Sequence, residues 1–217
     1  MYIPSHFNED RLDVLHALIR SQSLATLVTY GASGLIASHI PVVLDPSLTT
    51  RGALGTLRGH VSRANPQWKD YAADVEALAI FAGPQHYITP SWYPSKEEHG
   101  KVVPTWNYVV VHAYGRLTTF DDRDELLANV RALTQTHESP RAEPWSVDDA
   151  PASYIDGQLK GIIGVELTIS RLEGKWKVSQ NRPAPDRAGV ARGLREQGDA
   201  RSQTMADLVD GDRTTNR

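Results

Sequence analysis

From Leu24 onward, apolar and β-branched residues come in short runs separated by turn residues, and this pattern constrains the fold more than any other feature of the chain. Leu24-Ala25-Thr26-Leu27-Val28-Thr29-Tyr30 reads as a strand, Gly31-Ala32-Ser33-Gly34 as a turn, and Leu35 to Asp45 as the returning strand of a hairpin. A third strand is expected from Ala53 to Gly59, after a Pro46–Gly52 loop. Further strands are expected at Ala77 to Ala82, at His86 to Trp92, and along Trp106 to Phe120 with a bulge at Gly115. A last hairpin is expected from Ile162 to Ser170 and Lys175 to Ser179, turning at Glu173-Gly174. Seven or eight strands in hairpin order predict a mainly β fold with flanking helices, antiparallel and Greek-key-like, closed as a barrel because closure removes exposed strand edges. Strands and helices do not alternate regularly, which argues against a doubly wound parallel sheet.

Helical periodicity is confined to a few segments. Glu9 to Arg20 carries Leu12, Leu15 and Ile19 on one stripe, with Asn8 as the expected N-cap. Asp122 to Thr136 places Leu126, Val130 and Leu133 on one face, and Ala152 to Leu159 is a shorter helix. Past Arg182 the composition shifts to charged and small residues. The domain expectation is therefore a barrel over 1–182 and an extension over 183–217, helical near Arg187 to Arg195 and weakly ordered after about Gly198.

Several chemistries are disfavoured. The chain contains 0 Cys, so it has no thiolate metal cluster and no cysteine nucleophile. Its 8 His stand singly, never at the i, i+4 spacing of a helical metal pair. No Gly-rich phosphate loop and no Ser elbow appear. The net charge of −3 does not favour a surface-wide grip on DNA, and no helix-turn-helix is evident. No apolar run is long enough for a membrane span and no signal pattern opens the chain, so a cytoplasmic location is expected.

Polar and aromatic clusters at strand ends carry the remaining chemistry. Gly59-His60-Val61-Ser62-Arg63-Ala64-Asn65-Pro66-Gln67-Trp68 follows a strand and opens a short helix. Free backbone N–H groups, a hydroxyl and a guanidinium would there converge on a phosphate; a Ser N-cap beside a solvated Arg is the equal alternative. Tyr87 to Lys96, then Val103-Pro104-Thr105-Trp106-Asn107-Tyr108, crowd aromatic rings and hydroxyls around Ser91, Trp92 and Lys96. Such a set suits a planar heteroaromatic ligand, with Trp106 and Tyr108 serving equally well as barrel packing. Trp176-Lys177-Val178-Ser179-Gln180-Asn181-Arg182 ends the last strand with long donors, either a C-terminal tether or a second ligand wall.

These segments, with Glu98 to Tyr108, Leu172 to Arg182, Met1-Tyr2-x-Pro4-x-His6-Phe7 and Asp186-Arg187-x-Gly189-Val190, resemble the PaiB family over about residues 1–195. Members of that family are described as FMN-binding negative transcriptional regulators. The resemblance implies a split β-barrel, a homodimer and an FMN site at the subunit interface. Carried onto this chain, the cofactor-binding residues are His60, Ser62, Arg63, Asn65, Ser91, Trp92, Lys96, Thr105, Trp106, Gln180 and Arg182. Ala64 stands where related oxidases often carry Lys, so Lys96 or Arg182 would complete the phosphate grip. Two other readings stay open: an FMN-dependent reductase or oxidase with His60, His99 or His112 as proton donor, and a haem-binding split barrel ligated by His112.

Overall fold

The computed structural model describes residues 1–45 and 54–211. Alternation decides the strands. In β2 (Leu24–Gly31), Ala25, Leu27, Thr29 and Gly31 are buried while their neighbours face outward. It pairs antiparallel with β3 (Gly34–Asp45) from Leu24↔Pro41 to Gly31↔Gly34, so the expected hairpin forms with its turn in place. The others are β1 (Asn8–Glu9), β4 (Thr56–Ser62), β5 (Ala77–Ile88), β6 (Thr105–Phe120) and β7 (Ile162–Lys177). Among the described residues the seven strands run in the order β1-β7-β4-β3-β2-β5-β6, and β7 pairs with β6 as well, so the pairings return on themselves. The sheet is antiparallel and flanked by helices, the class that the alternation predicts.

By internal contacts the chain forms two compact units. One holds Met1–Ser21, Ala82–Val111 and the chain from Glu173 onward; the other holds Gln22–Phe81 and His112–Leu172. We call them the terminal unit and the central unit. In the central unit the core is built by Leu27, Ile40, Val42, Leu57, Val61, Ile163 and Val165. The helix α3 (Arg123–Glu138) packs on β3 and β4 and turns Leu126, Asn129 and Leu133 inward. Burial of each of those leucines stabilises by about 1.5–3 kcal/mol. In the terminal unit, α1 (Leu12–Ser21) contributes Val14, Leu15 and Ile19 to the core. There α5 (Ala184–Glu196) packs against α6 (Ala200–Asp210) through Val190, Leu194, Met205 and Leu208. The remaining helices are α2 (Ser95–His99) and α4 (Ala152–Leu159).

Four expectations are corrected. Asn8 caps no helix: Asn8 and Glu9 pair with Lys175 and Gly174 of β7, and α1 starts at Leu12. The buried Glu9 carboxylate takes two charged hydrogen bonds from Arg11, each 2.9 Å. Glu173-Gly174 is no turn, because β7 runs through it unbroken. Gly174 serves close approach instead: a Cβ there would lie 2.6 Å from the Glu9 carbonyl oxygen and 2.3 Å from Leu15. Ala77 to Ala82 and His86 to Trp92 are not separate strands, since β5 spans Ala77–Ile88 and a 3₁₀ turn takes Pro90–Trp92. Weak order was expected after Gly198, but α6 forms there with Asp199 as its N-cap, accepting from the Ser202 N–H at 3.0 Å. The expected Pro46–Gly52 loop and the residue Ala53 lie outside the described residues, and β4 begins at Thr56.

Candidate functional site

In the central unit a cleft opens where two strands part. β3 pairs with β4 only from Val42↔Gly59 to Asp45↔Thr56. Beyond that point β3 stays with β2, while His60, Val61 and Ser62 pair with Gly164, Ile163 and Ile162 of β7. Pro41 stands at the fork, where a residue without a backbone N–H ends a ladder naturally. The gap is a cleft of about 530 Å³ between Ser38–Pro41 and His60–Ser62, with Asn65, Gln158 and Gly161 on its rim. Among the described residues no carboxylate lines it.

Three of the residues expected to hold a cofactor, His60, Ser62 and Asn65, line this cleft. His60 is half-buried, and desolvation lowers its pKa below the usual imidazole value, so the ring is neutral at pH 7. Its Nδ1 lies 3.4 Å from the amide nitrogen of Asn129, a buried residue carried in by α3. The Asn129 side-chain carbonyl oxygen is itself buried with no hydrogen-bond partner among the described residues. The Ser62 hydroxyl accepts from the Ala64 N–H at 3.2 Å, which leaves its own proton free to donate. Asn65 donates to the Ser38 hydroxyl at 3.0 Å and caps the following 3₁₀ turn by accepting from the Gln67 N–H at 3.0 Å.

The expected array of free backbone N–H groups is not there. Arg63 N–H donates to the Gly161 carbonyl at 2.8 Å, Asn65 N–H to Ser62 at 2.9 Å, and the Ala64 and Gln67 amides go to side-chain oxygens. The helix is a three-residue 3₁₀ turn, Pro66–Trp68, too short to sum a useful dipole. Arg63 compensates in part. Its guanidinium donates to the carbonyls of Lys160 at 2.9 Å and Ile162 at 3.2 Å, which fixes its plane, and among the described residues no carboxylate pairs with it. A guanidinium carries five N–H donors, so the remaining ones are preset for an anion.

The terminal unit holds the other expected residues, and it does not treat them alike. Trp106 is exposed, meets Tyr87 edge to face at 6.1 Å, and its carbonyl accepts from Lys177 at 2.7 Å. Thr105 accepts from the same ammonium at 2.5 Å. Arg182 lies over the buried Tyr93 ring at 4.7 Å. Trp92 is packed under α5, where side chains at Gly189 and Gly193 would collide with it, 2.0 Å from its carbonyl oxygen and 2.4 Å from its indole nitrogen. The two glycines are there to admit it. Gln180 staples its own turn: its carbonyl accepts from the Val178 N–H at 2.7 Å and its amide donates back to Trp176, which uses one of the two amide N–H groups. Ser91 and Lys96 are exposed; Lys96 makes a 3.8 Å pair with Glu97. Lys177 stands in the donor cluster that ends the last strand, but its pairing with Lys175, which the Lys175-x-Lys177 spacing puts on the same face, and the part played by Asn129 were not read from the sequence.

Residues 1–171 match the family model described as "Putative FMN-binding domain". The chain belongs to this family. It is 30% identical over 210 residues to the protease synthase and sporulation protein PAI 2 of Bacillus subtilis, with 97% of each chain covered. It is 37% identical over 241 residues to an uncharacterized protein of Emericella nidulans, with 96% of each covered. Among solved structures, the flavocytochrome Anf3 of Azotobacter vinelandii superposes with a TM-score of 0.56 at 11% identity, covering 81% of this chain and 72% of that one. A conserved hypothetical protein of Mycobacterium tuberculosis gives 0.57 at 9% identity, covering 84% and 94%. At such identities these likenesses show the fold alone, the split barrel. FMN is the cofactor that family membership assigns to the chain, and the residues of the cleft fit it. A hydroxyl with a free proton, a preset cation and, among the described residues, a lining without carboxylates suit a phosphate-bearing ligand.

Proposed function

We propose that this protein binds FMN through the cleft at the β3–β4 fork and exerts a regulatory effect on gene expression through its flavin, as a homodimer and without gripping DNA itself. The observation that supports it best is Arg63, a cation held flat by two backbone carbonyls beside a cleft that no described carboxylate lines. Arg63 and Ser62 would hold the phosphate, and Asn65 and Ser38 would keep the cleft wall in shape. Bound FMN would supply one- and two-electron chemistry at its ring. An indirect route to gene expression accords with the charge. The chain carries −3 overall, and on the exposed side of the α5–α6 pair Arg195 is neutralised by Asp210 at 2.6 Å and Asp207 at 3.3 Å.

His60 supports a second reading, a small-molecule reductase or oxidase. A neutral imidazole on the cleft can take up a proton at pH 7, whatever redox partner the flavin serves. Isolation of the protein with its chromophore intact tests the first reading. We expect a yellow protein that releases FMN, identified by mass, on denaturation. In cells, an FMN-free variant should lose any effect on transcripts. An FMN-free variant that still regulates, or DNA retardation that survives physiological salt, contradicts the indirect route. Rapid bleaching by a reduced nicotinamide without a partner protein would favour the enzyme.

A further inference from the structure

The end of β7 in the terminal unit gathers cations that no carboxylate pairs with among the described residues. Lys175 and Lys177 stand two apart on one strand and therefore share a face. Both ammonium groups lie over the Tyr108 ring, at 5.2 Å and 6.0 Å from its centre. Lys175 is buried and donates to the Tyr2 carbonyl at 3.1 Å. Lys177 spends two N–H donors on Thr105 and the Trp106 carbonyl and keeps a third. Among the described residues, neither lysine nor Arg182 forms an ion pair. Desolvation, then the charges of Lys175 and Arg182, push the Lys177 pKa down.

Arg182 reaches this neighbourhood through an unusual backbone. Ser179 adopts φ 67°, left-handed for a residue other than glycine, and its buried hydroxyl is locked by the buried Asn107 at 2.9 Å. The Arg182 N–H then closes the turn on the Ser179 carbonyl at 2.9 Å. Strain of this kind persists only where the surroundings impose it, and here it sets a third cation beside two others. Repulsion among partly desolvated like charges opposes folding, and an anion would relieve it. Beside the cations lies the exposed edge-to-face pair Trp106 and Tyr87, a surface for a flat ring.

We propose that Lys177, with Lys175 and Arg182 behind it and Trp106 at its edge, forms a binding site for a planar aromatic anion. The occupant is the anionic ring of a reduced flavin or a separate aromatic carboxylate; the chemistry is the same, and the site stands whether or not FMN is the resident cofactor.

The test is calorimetric titration of the full chain with benzoate and with its neutral isostere benzamide, on protein as isolated and after flavin removal. Benzoate should bind at least about tenfold tighter than benzamide. Lys177→Gln should abolish that preference and Lys177→Arg should keep most of it. Trp106→Ala should weaken both probes by a similar factor, because it removes the ring surface and leaves the charge. Arg182→Gln, away from the strand, should reduce the preference in part and serves if Lys177→Gln fails to melt cooperatively. Competition between benzoate and FMN assigns the site to the flavin ring; equal benzoate affinity with and without FMN assigns it to a second ligand. Equal binding of benzoate and benzamide by the flavin-free protein, or a folded Lys177→Gln variant that retains the preference, overturns the proposal.

Discussion

His60 shows how burial at one residue reaches both stability and chemistry. Its pKa is lowered by desolvation, so the unfolded chain takes up the proton first as the pH falls. Stability is unaffected above the unfolded value of about 6.5 and declines as the pH drops from there through the lower folded value. We therefore expect the melting temperature to fall between pH 7 and 5, and His60→Gln to flatten that fall; parallel curves for the two proteins would show that His60 carries no such linkage. The hydrogen-bonded Asp70 and Asp199, whose pKa values are lowered, act in a different window, losing their contribution only as the pH falls below the ordinary carboxylate range. A similar economy of scale holds at Asp122. Its carboxylate accepts from the Asp124 and Glu125 N–H groups, each at 3.0 Å, so Asp122→Ala should cost about 1 kcal/mol in chemical denaturation and leave FMN affinity alone.

At the scale of elements, the strands were legible wherever alternation was strong, as in β2 and β3, and the helix α3 was legible from its apolar stripe. What misled was glycine. Gly174 after Glu173 resembles a turn, yet it is the point where β1 and α1 crowd β7, and tertiary contact is not visible in a local pattern. Gly174→Ala should cost about 1–3 kcal/mol through overpacking, read as a lower denaturation midpoint. A hairpin turn that tolerates Ala would leave the midpoint almost unchanged. The site was legible in part for the same reason. Ser62, His60 and Asn65 meet on one cleft because β4 leaves β3 at Gly59, a fork prepared by Pro41. Trp92 and Gln180 carry suitable chemistry but spend some of it on α5 and on their own turn, which only packing reveals. Asn129 reaches His60 from a helix distant in the sequence, and no spacing rule points to it.

For the whole molecule, the fold supplies a scaffold that many chemistries share, so function rests on the particular side chains it presents. Those side chains describe a cation preset by backbone carbonyls, hydroxyls with free protons and an imidazole kept neutral, a set suited to a phosphate-bearing cofactor. Arg63 is exposed and its two carbonyl partners remain solvated without it, so Arg63→Ala should lower the melting temperature little. Loss of its charge-assisted bonds to a phosphate should weaken FMN binding about 10- to 100-fold, the equivalent of about 1.5–3 kcal/mol. The decisive measurement is a flavin-fluorescence titration of the flavin-free protein with FMN, run in parallel on wild type and Arg63→Ala. Saturable quenching by the wild type with a 10- to 100-fold weaker variant is what a phosphate held at the β3–β4 fork requires. Unquenched FMN in the presence of folded wild-type protein, or identical affinities for the two proteins, would contradict it.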